Sequence, residues 1–180
     1  SKIICEDVLE SFALKNKNIN FAILRYFNPA GSHSSGLIGE DSNNDPKNLF
    51  PNIELVLKKY KDALSIFGND YDTKDGTCIR DFIHIDDLAQ GHLLSINYLL
   101  RKKKNITLNL GSGTGYSILE IVNAFEKISQ RKIKINYKDR RKGDIESVYS
   151  DIRLAKNTIN WKPKKNLNDI VKSSLNSLKY

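Results

Sequence analysis

The chain has 180 residues, enough for one domain with its own core, or for a smaller lobe joined to part of a second domain, but too few for two full domains. Hydrophobic residues make up 39%, and no apolar run approaches the ~20 residues that a membrane-spanning helix needs, so a soluble, cytoplasmic protein with no membrane partner is expected. The formal charge of +8 comes mostly from lysines spread along the chain, and its one dense run, Arg101-Lys102-Lys103-Lys104, lacks the interleaved aromatics that stack single-stranded bases; it reads as a solvated loop, and no nucleic-acid partner is expected.

The 180 residues contain no methionine, so Ser1 reads as an internal position and the chain as the back half of a longer protein. No signal peptide is visible. Cys5 and Cys78 are far apart in sequence and pair with no histidine or cysteine at metal-ligand spacing, which reads as two free thiols and no metal site.

Residues 3–15 place Ile3, Ile4, Val8, Leu9, Phe12 and Ala13 at helical spacing, which predicts an amphipathic helix with one buried face. The apolar run 21–24 follows as a buried strand, giving the helix-strand rhythm of a parallel α/β sheet. Residues 28–51 are rich in Gly, Ser, Asn, Asp and Pro and read as one long loop, a length that signals function or disorder. A helix is expected over 52–61. The strand 65–68 then enters a polar, hairpin-like excursion over 69–76 and returns as a strand over 77–80.

Ile85-Asp86-Asp87 opens the next helix, with both aspartates near its positive end. Residues 106–110 alternate as a strand that ends at Gly111-Ser112-Gly113. Ser117 with Glu120 three residues later forms a capping-box signature ahead of Ile118, Leu119, Ile121, Val122 and Phe125. A strand over 133–137 and helices over 152–160 and 167–179 complete the series. The pattern is part of a mixed α/β sheet plus a smaller α+β lobe.

Two constellations carry chemistry. Arg80-Asp81 closes an apolar strand beside Phe82 and His84; either Arg80 presents its planar fork to phosphate oxygens, or the two residues form a structural ion pair. Arg140-Arg141-Lys142-Gly143-Asp144 either grips a phosphorylated sugar or forms an exposed basic loop. By contrast, Gly111-Ser112-Gly113-Thr114-Gly115 has the wrong spacing for a dinucleotide fingerprint and reads as a tight turn. His33, His84 and His92 read as hydrogen-bonded structural histidines, and no hydrolase nucleophile signature occurs.

Read in order, Arg25-Tyr26-Phe27-Asn28-Pro29-Ala30-Gly31, Ser35-Gly36-Leu37-Ile38-Gly39-Glu40, Asn48-Leu49-Phe50-Pro51, Phe67-Gly68-Asn69-Asp70-Tyr71, Asp75-Gly76-Thr77-Cys78-Ile79-Arg80-Asp81-Phe82-Ile83-His84, Asn109-Leu110-Gly111-Ser112-Gly113 and Arg140 to Asp144 resemble the C-terminal half of the UDP-glucose 4-epimerase family, which are extended short-chain dehydrogenases/reductases. The resemblance spans essentially the whole chain. It implies a partial NAD-binding Rossmann-type sheet with a smaller α+β substrate-binding lobe, with residues 1–180 forming the end of the Rossmann domain plus that lobe. It implies NAD as cofactor, UDP-glucose and UDP-galactose as substrates interconverted through a 4-keto sugar, and a homodimer as the full-length protein.

The same resemblance assigns roles residue by residue. Lys2 would be the lysine of a Tyr-x-x-x-Lys pair whose tyrosine falls three residues before Ser1, so the fragment alone would be inactive. Tyr26, Phe27 and Pro29 would line the cofactor with Lys2. Asn28 would bind substrate near its diphosphate, Asn48 and Leu49 would contact the nucleotide-sugar, and Phe67 would sit at the uracil. Arg80 and Arg141 would clamp the diphosphate and Asp144 would hold the ribose.

Two departures stand out: Phe82 where the family often has tyrosine, and Val148 at a position whose side-chain size governs acceptance of N-acetylated sugars. The alternatives are a sibling enzyme acting on UDP-glucuronate or UDP-xylose, and a non-catalytic nucleotide-sugar-binding remnant.

Overall fold

The structure is a computed structural model that describes residues 2–38 and 46–178. Its elements run α1 (Lys2–Lys15), β1 (Ala22–Tyr26), β2 (Asn28–Ala30), α2 (Leu49–Leu57), β3 (Leu64–Phe67), β4 (Ile79–His84), α3 (Ile85–Lys102), β5 (Ile106–Leu110), β6 (Gly115–Ser117), α4 (Ile118–Ser129), β7 (Ile135–Lys138), β8 (Ser147–Val148), α5 (Arg153–Ile159) and α6 (Leu167–Ser177). This is the mixed α/β arrangement with parallel strands that the sequence predicts.

The strands fall into three groups. β1 and β5 pair in parallel, from Ala22 opposite Ile106 to Tyr26 opposite Leu110. β4 is the centre of a second sheet, with β2 parallel to its C-terminal half and β6 antiparallel and β8 parallel along its N-terminal half. β3 and β7 form a parallel pair of their own.

Two cores match this division. Ile83, Leu88, Leu108, Leu110, Ala155, Ile159 and Trp161 fill the space around β5, α3 and α5. Phe50, Ile53, Leu57, Leu64, Phe82, Ile121, Phe125, Ile170 and Val171 form the other, where α2, α4 and α6 gather around β3 and β4. Phe50 lies at its centre, 5.3 Å from the Phe82 ring and 5.1 Å edge-on to Phe125.

Local signals act as expected at several helix ends. The side chain of Ser117 accepts from Glu120 N and the Glu120 carboxylate accepts from Ser117 N, closing the capping box of α4. Asn166 and Asp169 do the same for α6. Arg101 and Lys102 occupy the last turn of α3, where cations favour the negative helix end, so only the second half of the basic run is loop.

Four expectations are corrected. Helix α1 buries none of its residues; its apolar side chains point in several directions, with Ile3, Val8 and Leu14 all mainly exposed, and the described residues give it little more than the Glu6–Arg25 ion pair to dock through. The loop over 28–51 contains a three-residue strand, β2, too short to leave a sequence pattern and created by its pairing with β4. Helix α2 begins three residues before the expected start, because Pro51 sits in its first turn, where its missing N–H has no partner to lose.

The fourth correction concerns β3 and β4, which do not form a hairpin. β3 runs beside β7, about 70 residues on, and the excursion between β3 and β4 is held by its own turn, Tyr71 N donating to Gly76 O at 3.0 Å. Gly76 at φ +77° has no room for a side chain, since a Cβ would stand 2.2 Å from Asn69 O.

Candidate nucleotide-binding cleft

Strand β4 delivers two adjacent side chains to opposite tasks because consecutive residues of a strand face opposite ways. Asp81 turns inward and is fully buried. Its Oδ1 accepts from Ser112 N at 2.7 Å and Ser112 Oγ at 2.6 Å, and its Oδ2 from Gly113 N at 3.1 Å, Ser150 N at 3.0 Å and Ser150 Oγ at 2.6 Å. The glycine-rich turn therefore wraps a carboxylate rather than a phosphate. Gly111 allows that approach, since a Cβ there would come within 2.3 Å of Ser150 Oγ and 2.5 Å of Asp81 Oδ2.

Arg80 turns the other way. Its Nη1 donates to Ile79 O at 2.8 Å and its Nη2 to Asp144 Oδ1 at 3.3 Å, joining the two constellations singled out in the sequence, 64 residues apart. The Arg80-Asp81 ion pair considered from sequence is thus replaced by two separate networks.

Arg80, Arg141 and Asp144 share a cleft of about 430 Å³ with Phe27, Asn28, Pro29, Asn48 and Leu49. An adjoining cavity of about 350 Å³ continues it past Asn48, Leu49, Arg141 and Asp144 to Phe67. The Arg141 guanidinium lies 3.8 Å from the centre of the Phe67 ring, a cation–π stack that holds it at the junction of the two spaces. Asn28 Nδ2 donates to Asp81 O at 2.8 Å, which ties its amide to the backbone of β4. Val148, on β8, pairs in register with Arg80.

The fold brings together nine of the twelve residues singled out from sequence in one continuous cleft and sets Val148 beside it. Tyr26 and Lys2 line neither cavity: Tyr26 is half exposed with its ring 6.1 Å from that of His92, and Lys2 is exposed at the start of α1. Gly39 and Glu40 of the Ser35 to Glu40 motif lie outside the described residues.

Sequence reasoning passed over Lys47, Cys78 and Ile118, which line both cavities. No local signal marks Ile118, the first residue of α4; only the antiparallel pairing of β4 with β6 brings it to the cleft wall. Burial pushes the Cys78 thiol above its usual pKa, so it is a packing group rather than a nucleophile.

His84, at the end of β4, caps α3: its Nδ1 accepts from Asp86 N at 3.0 Å, leaving the proton on Nε2, which lies 3.1 Å from Ser173 Oγ. Burial pushes its pKa below the usual 6.5, against the opposing pull of Asp86 and Asp87. The unfolded chain therefore takes up this proton more readily than the folded one. The stabilisation is present above pH ~6.5 and is lost as pH falls toward the lower folded value. Urea midpoints measured from about pH 8 to about pH 5.5 are expected to fall in the wild type and to fall less in His84→Gln; equal slopes would contradict the assignment.

No helix among the described residues is long and apolar enough to cross a membrane. The sequence profile of the NAD dependent epimerase/dehydratase family matches residues 1–111. The UDP-glucose 4-epimerase of Bacillus subtilis (strain 168) is 43% identical over 174 residues, covering 97% of this chain and 51% of that protein. Among solved structures, a UDP-glucose 4-epimerase from Stenotrophomonas maltophila, crystallised with NAD and formylated UDP-arabinopyranose, superposes with a TM-score of 0.95 at 38% identity, covering 99% of this chain and 53% of that one. The enzyme from Bifidobacterium longum, in complex with NAD+ and UDP, gives 0.93 at 39% identity and the same coverage. The chain spans about half the length of the relatives it matches. By sequence profile and by fold, the chain belongs to the NAD dependent epimerase/dehydratase family.

Proposed function

We propose that this chain is the substrate-binding half of an NAD-dependent UDP-glucose/UDP-galactose 4-epimerase. The observation that carries the reading is the meeting of Arg80, from β4, with Arg141 and Asp144, from the 140–144 loop, in one cleft that thereby holds two guanidinium groups and one carboxylate. Two arginine forks suit a diphosphate, whose oxygens accept paired, charge-assisted hydrogen bonds. Asp144, an acceptor, suits ribose hydroxyls, and the Phe67 ring gives a uracil a flat surface. Asn28, Asn48 and Leu49 line the same cleft. The relatives named above as UDP-glucose 4-epimerases, one of them holding UDP, support this assignment.

For NAD, the residues of this chain that fit are those at the C-terminal end of β1 and the start of β2. Phe27 and Pro29 offer flat apolar surface at the cleft mouth and Tyr26 stands beside them, the residue type that meets a nicotinamide ring and excludes water. The turn at 111–114 does not fit a pyrophosphate, because Asp81 and Ser150 occupy its concavity. Bound NAD would supply hydride acceptance and return at C4 of the sugar. The work of this chain's own residues is to hold the nucleotide while the 4-keto sugar turns, with Lys2 as the cation that lowers the pKa of a proton-accepting tyrosine. The domain assignment, the end of a Rossmann domain plus a substrate lobe over 1–180, and a homodimeric complete protein belong to the same proposal.

Calorimetric titration with UDP tests it. The chain is expected to bind, and Arg80→Ala and Arg141→Ala are each expected to weaken binding about tenfold or more, since a hydrogen bond to a charged group contributes about 1.5–3 kcal/mol. A folded chain with no affinity for UDP, or variants as tight as wild type, would contradict it.

The Val148 side chain makes a further expectation. Valine leaves more space than tyrosine beside Arg80, so UDP-N-acetylglucosamine is expected to bind within about tenfold of UDP-glucose, and Val148→Tyr to weaken the N-acetylated sugar selectively. An equal loss for both sugars would show that this position does not read the acetamide.

A further inference from the structure

Of the three cations in the 140–144 loop, the proposed function uses only Arg141. Arg140 lines neither cavity and points the other way. Its Nε donates to Asp70 Oδ1 at 2.7 Å, its Nη2 donates to the Asp70 carbonyl, and its guanidinium lies 4.2 Å from the centre of the buried Tyr71 ring. Gly68, at φ +81°, makes this possible: a Cβ there would stand 2.4 Å from Tyr71 Cε2 and 3.0 Å from Arg140 Cγ. Gly68 N also donates to Lys138 O at 2.8 Å, extending the β3–β7 ladder by one bond beyond Phe67 opposite Lys138.

Two successive arginines thus clasp two aromatic rings that flank Gly68. Arg140 stacks on Tyr71 and Arg141 stacks on Phe67. The strand pair thus holds the backbone at Lys138, and a fork and a stack anchor the side chain of Arg140, so the chain is tied at two points just before Arg141.

We propose that Arg140 is a positioning residue for Arg141: by locking the start of the 140–144 loop onto Asp70 and Tyr71, it aims the Arg141 guanidinium over Phe67 into the nucleotide cleft. The proposal rests on the reading of Arg141 as a diphosphate ligand. The Arg140–Asp70 pair is itself largely exposed, with side chains 46% and 69% accessible, and such pairs add little to global stability. Its consequence is therefore geometric: loss of the fork frees a loop whose neighbouring cation must be held in place. Arginine is required because lysine keeps the charge but lacks the fork and the flat face.

The test is to titrate UDP and uridine separately into the chain as wild type, Arg140→Lys, Arg141→Ala and the double variant, and to record thermal midpoints. Arg140→Lys is expected to weaken UDP about tenfold, to leave uridine within about twofold, to keep a midpoint near that of the wild type, and to cause no further loss in the Arg141→Ala background. Asp70→Ala, which removes the side-chain acceptor of Arg140 Nε from an exposed side, is expected to reproduce the UDP-selective loss at about threefold.

If Arg141→Ala loses UDP while Arg140→Lys binds it as the wild type does, the positioning role is overturned and the diphosphate reading stands. Equal weakening of UDP and uridine by Arg140→Lys, or additive losses in the double variant, would reduce Arg140 to a structural residue and likewise overturn the proposal. Unchanged UDP affinity in Arg141→Ala removes the reading on which it rests, and the proposal with it.

Discussion

Asp81→Ala is expected to abolish cooperative folding or to lower stability by about 4 kcal/mol or more, measured by urea denaturation followed by circular dichroism. The carboxylate is fully buried and serves five donors, three of them backbone N–H groups of Ser112, Gly113 and Ser150 that cannot turn elsewhere. Alanine leaves Ser112 N and Ser150 N without their acceptor, while Gly113 N keeps its 3.1 Å bond to Ser150 Oγ, and an unsatisfied buried donor costs about 1–3 kcal/mol. Small domains are stable by only about 5–15 kcal/mol, so one such hub can decide whether a fold persists.

Asp81→Asn separates shape from chemistry. The amide has the same outline, but one of its ends donates, and either orientation turns an NH2 toward at least one of those backbone N–H groups. It is expected to be destabilised nearly as much as Asp81→Ala. An Asp81→Asn protein as stable as wild type would show that the network tolerates a donor and that filling the space is what matters. Because Asn28 Nδ2 donates to Asp81 O and β8 is tied through Ser150, the same loss is expected to disturb the cleft.

Trp161→Ala is the second large effect, expected to destabilise by about 3–5 kcal/mol. Trp161 is 1% exposed and packs with Leu110, Ala155 and Ile159 under α3. Its Nε1 donates to Asp87 O at 2.9 Å, and Gly91 leaves room for the ring on α3, a Cβ there standing 3.3 Å from Nε1 and 2.9 Å from Leu110 Cδ1. Asp87 in turn accepts from Lys164 N at 3.0 Å and Lys165 N at 2.8 Å, so the segment between α5 and α6 is held to α3 through one tryptophan and one carboxylate. Trp161→Phe keeps most of the ring and gives up the indole bond, and is expected to cost about 1–2 kcal/mol. Circular dichroism is the suitable probe, because Trp161 is the only tryptophan. A loss below about 1 kcal/mol in Trp161→Ala would mean that the site collapses around the missing ring.

Residue chemistry that acts within one turn of helix or one strand was open to reading in the sequence. The capping box of Ser117 and Glu120, the start of α3 at Ile85 and the alternation of β5 depend on neighbours a few residues away, and the chain states them locally. The motif residues of the cleft were legible too, as a set of residue types in a specific order.

Partnership across the chain was not legible. β2 exists because β4 lies beside it, β3 chose β7 over the nearer β4, and Asp81 faces Ser112, Gly113 and Ser150 rather than its neighbour Arg80. Arg80 meets Asp144 only because β8 and the loop before it return to β4. Sequence spacing sets which groups a segment can offer; strand register and the alternation of side chains across a sheet decide which of them meet, and both are fixed by contacts such as those 31 and 84 residues apart, where the burial of apolar faces selects one pairing among many.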